Sequence, residues 1–478
     1  MNKISSFLSK ISKKTKITIL VITLIVLGIT VLYQTFAISS NISGGSDNYT
    51  VTLNNNSTVS VPASGHKTVY FKIRNNNKGT VKYGVGYKGT NIIAKVYDDS
   101  ESPSTGTITE SESKFIKLYI ENTSTSDSSV ELISILGYEN GGNLIVPNGY
   151  TLVTEKYRNY KGLAKLIAND TFKSTKTETL NNVNYKYDDT HKLMEDTAGN
   201  IRYYGANPNN YIYFNCSDYK NQSSSTCETW RIIGVFDGKV KIMRGSIIGS
   251  YSWDTSTSDI NSGFGVNEWS EADLMKLLNS GYETESVGGS LYWNAKTGTC
   301  FSGQNNATTS CNFTSTGLKN DTTRNLIAET TYYTRGYNII HIYVDEMYDK
   351  ERVSGTVVNA TPPRTTSWTG KVTLAHPSDY GYAADLSLCQ KQLGSYDVTA
   401  CTTNNWMKNI LGTSSNGWLL TPGSDSADSA WRVYSSGGVY EYHGTSTGSG
   451  VAPVLSLTSE LDIGSGSGTS SSPYQLSV

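Results

Sequence analysis

The sequence predicts a mostly β protein with an α+β C-terminal portion, set behind an N-terminal transmembrane helix. Three observations carry that expectation. An apolar run occupies residues 17–38; short alternating strands fill residues 46–153; and six cysteines, all from Cys216 onward, fall into three near-neighbour pairs.

The first element is the apolar run. Lys3, Lys10, Lys13, Lys14 and Lys16 precede it, and no acidic residue occurs before Asp47. Positive charge stays on the cytoplasmic side, which places the chain beyond about residue 40 outside. Ile17 to Ile38 is 22 residues; a span takes about 20, whereas the core of a signal peptide is about 7–15. The length favours a retained anchor, and Thr35-Phe36-Ala37, a loose small-x-small site, leaves cleavage and secretion as the alternative. Residues 1–45 are thus expected to form a cytoplasmic stub, the helix and a Gly/Ser-containing spacer.

The second element is strand-rich. Tyr49–Leu53, Lys67–Arg74, Thr80–Tyr87, Phe115–Glu121 and Ser129–Leu136 alternate apolar with polar residues between turn-forming segments. That spacing over residues 46–153 predicts an immunoglobulin-like β-sandwich. Residues 154–195 begin with a helical pattern whose stripe is Leu163, Leu166 and Ile167, and are expected to be a helical connector.

Residues 196–478 form the largest unit. Trp230–Phe236 and Lys239–Arg244 flank Asp237-Gly238, a pair suited to a type I′ turn, and predict a hairpin. Ser270–Asn279 starts with Ser and has a carboxylate three residues on, the pattern of a capping box. Further helices are expected at Asp321–Glu329 and Asn405–Leu411, and strands at Ala430–Tyr434, Gly438–Tyr442 and Val451–Leu457. The pairs Cys216/Cys227, Cys300/Cys311 and Cys389/Cys401 bracket polar loops. No Cys-x-x-Cys occurs and no histidine lies close to a pair, which favours disulfides over zinc or free thiols. Each such bridge stabilises by about 3 kcal/mol through loop closure.

Composition narrows the function. Only 17% of residues are charged, while Tyr (33) and Gly (44) are abundant, a mixture suited to short strands and polar loops and not to a helical cytosolic enzyme. Net charge is −1, and with the five cytoplasmic lysines set aside the exterior carries −6. A mildly acidic exterior without a basic stripe excludes nucleic acid as the expected partner.

Gly417-Trp418-Leu419-Leu420-Thr421-Pro422-Gly423, then Ala430-Trp431-Arg432-Val433, Gly437-Gly438 and Gly450-Val451-Ala452-Pro453 resemble an uncharacterised domain near the C-terminus of many bacterial surface proteins. That domain reads Trp-Leu-Arg-Ser-Pro-Gly, then Gly-Val-Arg-Pro before an apolar strand. The match is strongest over residues 417–457, and the Trp230 hairpin and the helix after Trp269 fit the same order. The resemblance implies a C-type-lectin-like fold, related to that of formylglycine-generating enzymes, for residues 196–478. Leu420 and Thr421 stand where the family has Arg-Ser, and Ala452 where it has Arg, so the resemblance supports the fold and not a shared ligand site.

Trp418 and Trp431 are expected in the core. Tyr434, Tyr440, Tyr442 and His443, near strand ends, are the candidate ligand-binding residues, because aromatic side chains there stack on sugars or anchor protein partners. No catalytic residue, metal site or cofactor is expected. His-Glu-x-x-His and the Walker loop do not occur, and neither a serine-hydrolase elbow nor a dinucleotide-binding unit is anticipated. The Trp-Asn-Asp of calcium lectins is absent. Asp345, Glu346, Asp349 and Glu351 read as a solvated acidic face, and His341 and His376 stand apart from any nucleophile motif. The expected function is that of a non-enzymatic, membrane-anchored bacterial cell-surface protein whose C-terminal head binds an extracellular protein or glycan. A structural envelope component, or a secreted enzyme with a site assembled from distant residues, are the alternatives.

Overall fold

The structure, a computed structural model, describes residues 37–40, 49–52, 58–138, 144–255, 265–353, 365–412 and 416–478. Strand accounts for 39% and helix for 13%, as a mostly β chain requires. The chain divides into two compact units, Met1–Asn159 and Tyr160–Val478.

The first unit is two sheets around one core. One runs, in spatial order, Ala37–Ser40, His66–Arg74, Ser113–Asn122, Ile92–Tyr97 and Lys156–Tyr157; the other is built on Val81–Lys88 and Ser128–Tyr138. Alternation does the sorting. Val69, Phe71 and Ile73 point inward opposite Leu118, Ile116 and Lys114, and the inward residues meet Val81, Val85, Leu132 and Leu136 of the second sheet. Gly84-Val85-Gly86-Tyr87-Lys88-Gly89 has the lettering of Gly-x-Gly-x-x-Gly, a match not anticipated from the sequence. It lies in and just after the strand Val81–Lys88, not at the strand-to-helix turn that dinucleotide binding needs.

Residues 17–36 of the expected transmembrane helix lie outside the described residues. Its last two residues, Ala37 and Ile38, are strand, paired in parallel with Tyr70 and Phe71; there the open edge of His66–Arg74 supplies backbone partners to an apolar segment. Among the described residues no helix is long and apolar enough to cross a membrane.

The second unit takes in most of the expected connector. Gly162–Lys165 and the π-helical Leu166–Thr171 bury Leu163 and Ile167, and Leu166 packs against the same core. Lys176–Leu180, Val183–Asp188 and Leu193–Glu195 then begin the largest sheet. Two features make these residues strands. Asn181 and Asn182 take φ of 50° and 65°, the left-handed pair of a two-residue hairpin turn, and Tyr185 and Tyr187 alternate onto the buried face.

That sheet continues through Ile201–Tyr203, Glu228–Phe236, Lys239–Arg244, Val454–Ser456 and Val372–Thr373, with Tyr211–Phe214 also paired to Glu228–Phe236. The hairpin turns as expected, with φ of 48° at Asp237 and 74° at Gly238. The register slips between Ile232 and Gly234. A Cβ on Gly234 would sit 2.3 Å from the Ile201 carbonyl oxygen, so only glycine allows the neighbouring strand this close. The sheet separates two cores. Trp230, Ile232 and Ile242 face one, and Ile233, Met243 and Val454 face the other.

A second, five-stranded sheet runs Ser250–Tyr251, Ser449–Gly450, Gly417–Pro422, Ser429–Val433 and Val439–His443. Trp418 and Trp431 are fully buried in it, as expected. The helices are shorter than the sequence suggests. Glu268, not Ser270, caps a 3-10 turn at Trp269–Glu271, and the helix proper is Asp273–Leu278. The carboxylate of Asp273 is engaged by Thr255 N and Oγ1 at 3.0 and 2.6 Å. Asp321–Asn325 stops early because Ile327 and Ala328 join the backbone of Leu457 and Ser456. The third expected helix narrows to Lys408–Leu411.

All six cysteines are paired locally, Cys216–Cys227, Cys300–Cys311 and Cys389–Cys401, with none free. Peptide mapping of the unreduced protein is expected to return these three bridges; a crossed pair would refute the loop assignment. Replacing Cys216 and Cys227 together by Ser should lower stability by about 3 kcal/mol, read from the urea midpoint. Trp418→Ala should cost about 3–5 kcal/mol; an unchanged midpoint would show that Trp418 does not seal the core.

Candidate functional site

Strands Ser429–Val433 and Val439–His443 pair antiparallel, with Arg432 opposite Tyr440 and Ala430 opposite Tyr442. Trp431 and Val433 turn into the core, so alternation sends Arg432 and the following Tyr434 to the other face. The antiparallel register puts Tyr440 and Tyr442 there too. The Arg432 guanidinium carbon lies 3.3 Å from the ring centre of Tyr442 and 4.5 Å from that of Tyr434. Tyr434 and Tyr440 meet edge-to-face at 5.1 Å and 88°.

Arg432 is only 7% exposed. Its Nη1 reaches Ser449 Oγ at 3.5 Å, while its buried Nε has no hydrogen-bond partner among the described residues. No carboxylate lies within ion-pair distance of it among those residues. The three tyrosines are half-buried, each offering part of a ring to solvent. Burial, then Asp397 and Tyr434, raise the Tyr440 phenol above its ordinary value. The structure therefore brings Tyr434 and Tyr442 together around a cation, with Tyr440 packed against Tyr434. His443 pairs with Ser429 in the same two strands; its side chain lies outside the described residues. Arg432 is the residue that sequence reasoning missed. Its signal was parity: positions 432 and 434, like 440 and 442, share a face in any strand.

A second polar cluster is sealed inside the unit. Asp379, on helix Pro377–Tyr382, accepts from Arg202 Nη1 at 3.0 Å, from Lys241 Nζ and from the His376 backbone N–H at 3.0 Å. Asp196 accepts from Arg202 Nε at 2.6 Å. The Arg202 guanidinium also lies 4.6 Å from the rings of both Phe236 and Tyr382. His376 Nε2 meets the Tyr333 carbonyl at 2.9 Å. Burial acts to raise the Asp379 pKa, but Lys241, His376 and Arg202 outweigh it and hold the carboxyl well below its ordinary value. Arg202 and Asp379 are each 1% exposed, so this is a packing device, closed to a substrate.

Two expectations need correction here. The acidic run is not a uniform solvated face. Glu346 and Asp349 are exposed, but Glu351 is 1% exposed and accepts from Ser378 N and Oγ at 3.0 and 2.5 Å and from Arg352 at 3.0 Å. Burial, then Glu346, raise the pKa of the half-buried Asp345. Helix Val344–Glu351 is amphipathic, and Glu351 falls on its inner side with Val344, Met347 and Tyr348. Secondly, Gly444-Thr445-Ser446-Thr447-Gly448 fits Gly-x-Ser-x-Gly, contrary to expectation. Ser446 is fully buried and lies between two strands, whereas a nucleophile elbow exposes its serine between a strand and a helix. His341 is exposed; His376 is tied into the buried cluster. Among the described residues no group of three or more His, Cys, Asp or Glu side chains is arranged to hold a metal.

No protein-family model and no curated protein matches this chain. The resemblance over residues 417–457 thus rests on the residues alone.

The folded-state pKa of Asp379 is depressed, so its contribution is fully present above the unfolded value of about 3.8 and is lost as pH falls below it. Asp379→Asn should cost about 3–5 kcal/mol near neutral pH, by leaving buried cations uncompensated. It should also flatten the loss of stability below pH 3.8 relative to the unaltered protein. Urea midpoints at neutral and acid pH test this; equal midpoints at neutral pH would show that the cluster is dispensable.

Proposed function

We propose that this chain is a non-enzymatic bacterial cell-surface protein that binds an extracellular protein or glycan through residues 160–478. The observation that carries this reading is Arg432 between Tyr434 and Tyr442. It joins a desolvated cation with partly exposed rings, the residue types that dominate binding hot spots. Tyr440 extends the patch. The sheet beneath is paired strand to strand and three loops of the same unit are closed by disulfides, features that reduce the freedom lost when a partner docks.

The rest of the reading comes from the sequence. The lysine-flanked apolar run, taken back to residues 17–36 because Ala37 and Ile38 pair as strand, serves as a single-pass anchor, with the C-terminus outside, where disulfides form. The two-sheet first unit serves as an immunoglobulin-like stalk. The second unit, with its mixed sheets and the Trp418 segment buried at its centre, is read as C-type-lectin-like.

Detergent-solubilised full chain, applied to glycan and extracellular-protein arrays, is expected to select a ligand. Tyr434→Ala and Tyr442→Ala should each weaken that binding by about tenfold or more, with little change in melting temperature. Ligand binding unaffected by both changes would refute the site. Ordered self-association with no ligand on either array would favour an envelope structural role and overturn the proposal.

A further inference from the structure

A groove of about 400 Å³ lies beside the first residues of strand Glu228–Phe236, the end of strand Lys239–Arg244 and helix Lys408–Leu411. Its volume falls in the ~300–1,000 Å³ range of small-molecule sites. It shares no residue with the tyrosine face, so a ligand held in the groove is independent of any partner bound by Tyr434 and Tyr442.

Arg231 forms part of the groove wall. Trp230 turns into one core, so Arg231 emerges on the other face of the sheet. Its guanidinium carbon lies 3.7 Å from the ring centre of Tyr211 and 5.0 Å from that of Trp406. Nε donates to Asn210 Oδ1 at 2.6 Å and Nη2 to the Pro208 carbonyl at 3.4 Å. Nη1 has no hydrogen-bond partner among the described residues, and no carboxylate there lies within ion-pair distance of Arg231. The side chain is 8% exposed. Burial pulls its pKa down to about 10, the mark of a desolvated cation whose neighbours are all neutral.

The other charges of the groove do not relieve it. Glu228 is committed to Arg244, with Nε to Oε2 at 3.0 Å and Nη2 to Oε1 at 3.3 Å, and it also accepts from Trp230 Nε1 at 3.1 Å. The groove thus holds two guanidinium groups and one carboxylate, which pairs with Arg244, and it carries one unbalanced positive charge. Thr229, Ser246 and Asn409 place exposed hydroxyl and amide groups around it.

We propose that this groove binds the carboxylate of an acidic sugar. Arg231 supplies the charge and, with Nε and Nη2 already donating to Asn210 and Pro208, the free Nη1 donor for a charge-assisted hydrogen bond to a carboxylate oxygen. The hydroxyl and amide rim suits a ligand that has many hydroxyl groups around a single charge. A bound carboxylate also neutralises a cation that the protein itself leaves without a counter-ion.

The test is calorimetric titration of the detergent-solubilised full chain with methyl glucuronide and, in parallel, methyl glucoside. The glucuronide is expected to bind at least about tenfold tighter. Arg231→Gln should abolish that preference. Because Arg231 is buried and its loss could unfold the unit, Thr229→Glu is the second variant. Position 229 is exposed, and a carboxylate introduced there competes for Arg231 and should eliminate glucuronide binding in a protein of unchanged melting temperature. Equal affinity for the two glycosides, no saturable glucuronide binding, or undiminished binding by Thr229→Glu would each overturn the proposal.

Discussion

The second unit depends on one carboxylate shared between two buried cations. Arg202 and Lys241 project from different strands of the large sheet into space closed to water, and Asp379 reaches both from a helix more than a hundred residues further on. Asp196 completes the balance at two cations and two anions. Moving such charges out of water is costly, and their pairing is weak evidence of net stability. Its effect lies in selection: any other seating of helix Pro377–Tyr382 leaves at least two charges buried and unmatched. Ser378, the residue before Asp379 on that helix, engages Glu351, so the docking of one helix also fixes helix Val344–Glu351.

Tryptophan ties the remaining layers in the same way. The indole N–H groups of Trp253, Trp406, Trp418 and Trp431 donate to the carbonyls of Leu419, Tyr203, Tyr251 and Tyr337, each far away in sequence. A buried indole contributes a large apolar area and one obligatory donor, so each of these residues both fills space and specifies which backbone segment lies alongside. Three polar segments of the same unit, 217–226, 301–310 and 390–400, are closed by disulfides.

Guanidinium groups packed on aromatic rings recur. Arg432 lies against three aromatic rings and Arg231 against two, and each lacks a carboxylate partner among the described residues. Rings replace part of the lost hydration of a guanidinium but do not neutralise it. Each site holds charge in reserve, one on a face of half-buried tyrosines and the other in a groove rimmed by hydroxyl groups.

The sequence by itself determined whatever depends on near neighbours. Period-two alternation marked the strands of the first unit and those around Trp431; Asp237-Gly238 marked its hairpin; and spacing marked the three cysteine pairs, whose loops are short enough for proximity alone to select them. Even Asn181-Asn182 and the shared parity of Arg432 and Tyr434 were legible in principle, since both are local patterns. Only the tertiary structure decided that residues 176–195 extend a sheet, that Glu351 is buried while Glu346 is not, and which arginines find a counter-ion. Those outcomes turn on the free energy of burying a charge. That energy is set by which groups from elsewhere in the chain arrive beside it, and Asp379 reaches Arg202 and Lys241 only when the sheet and the helix have met.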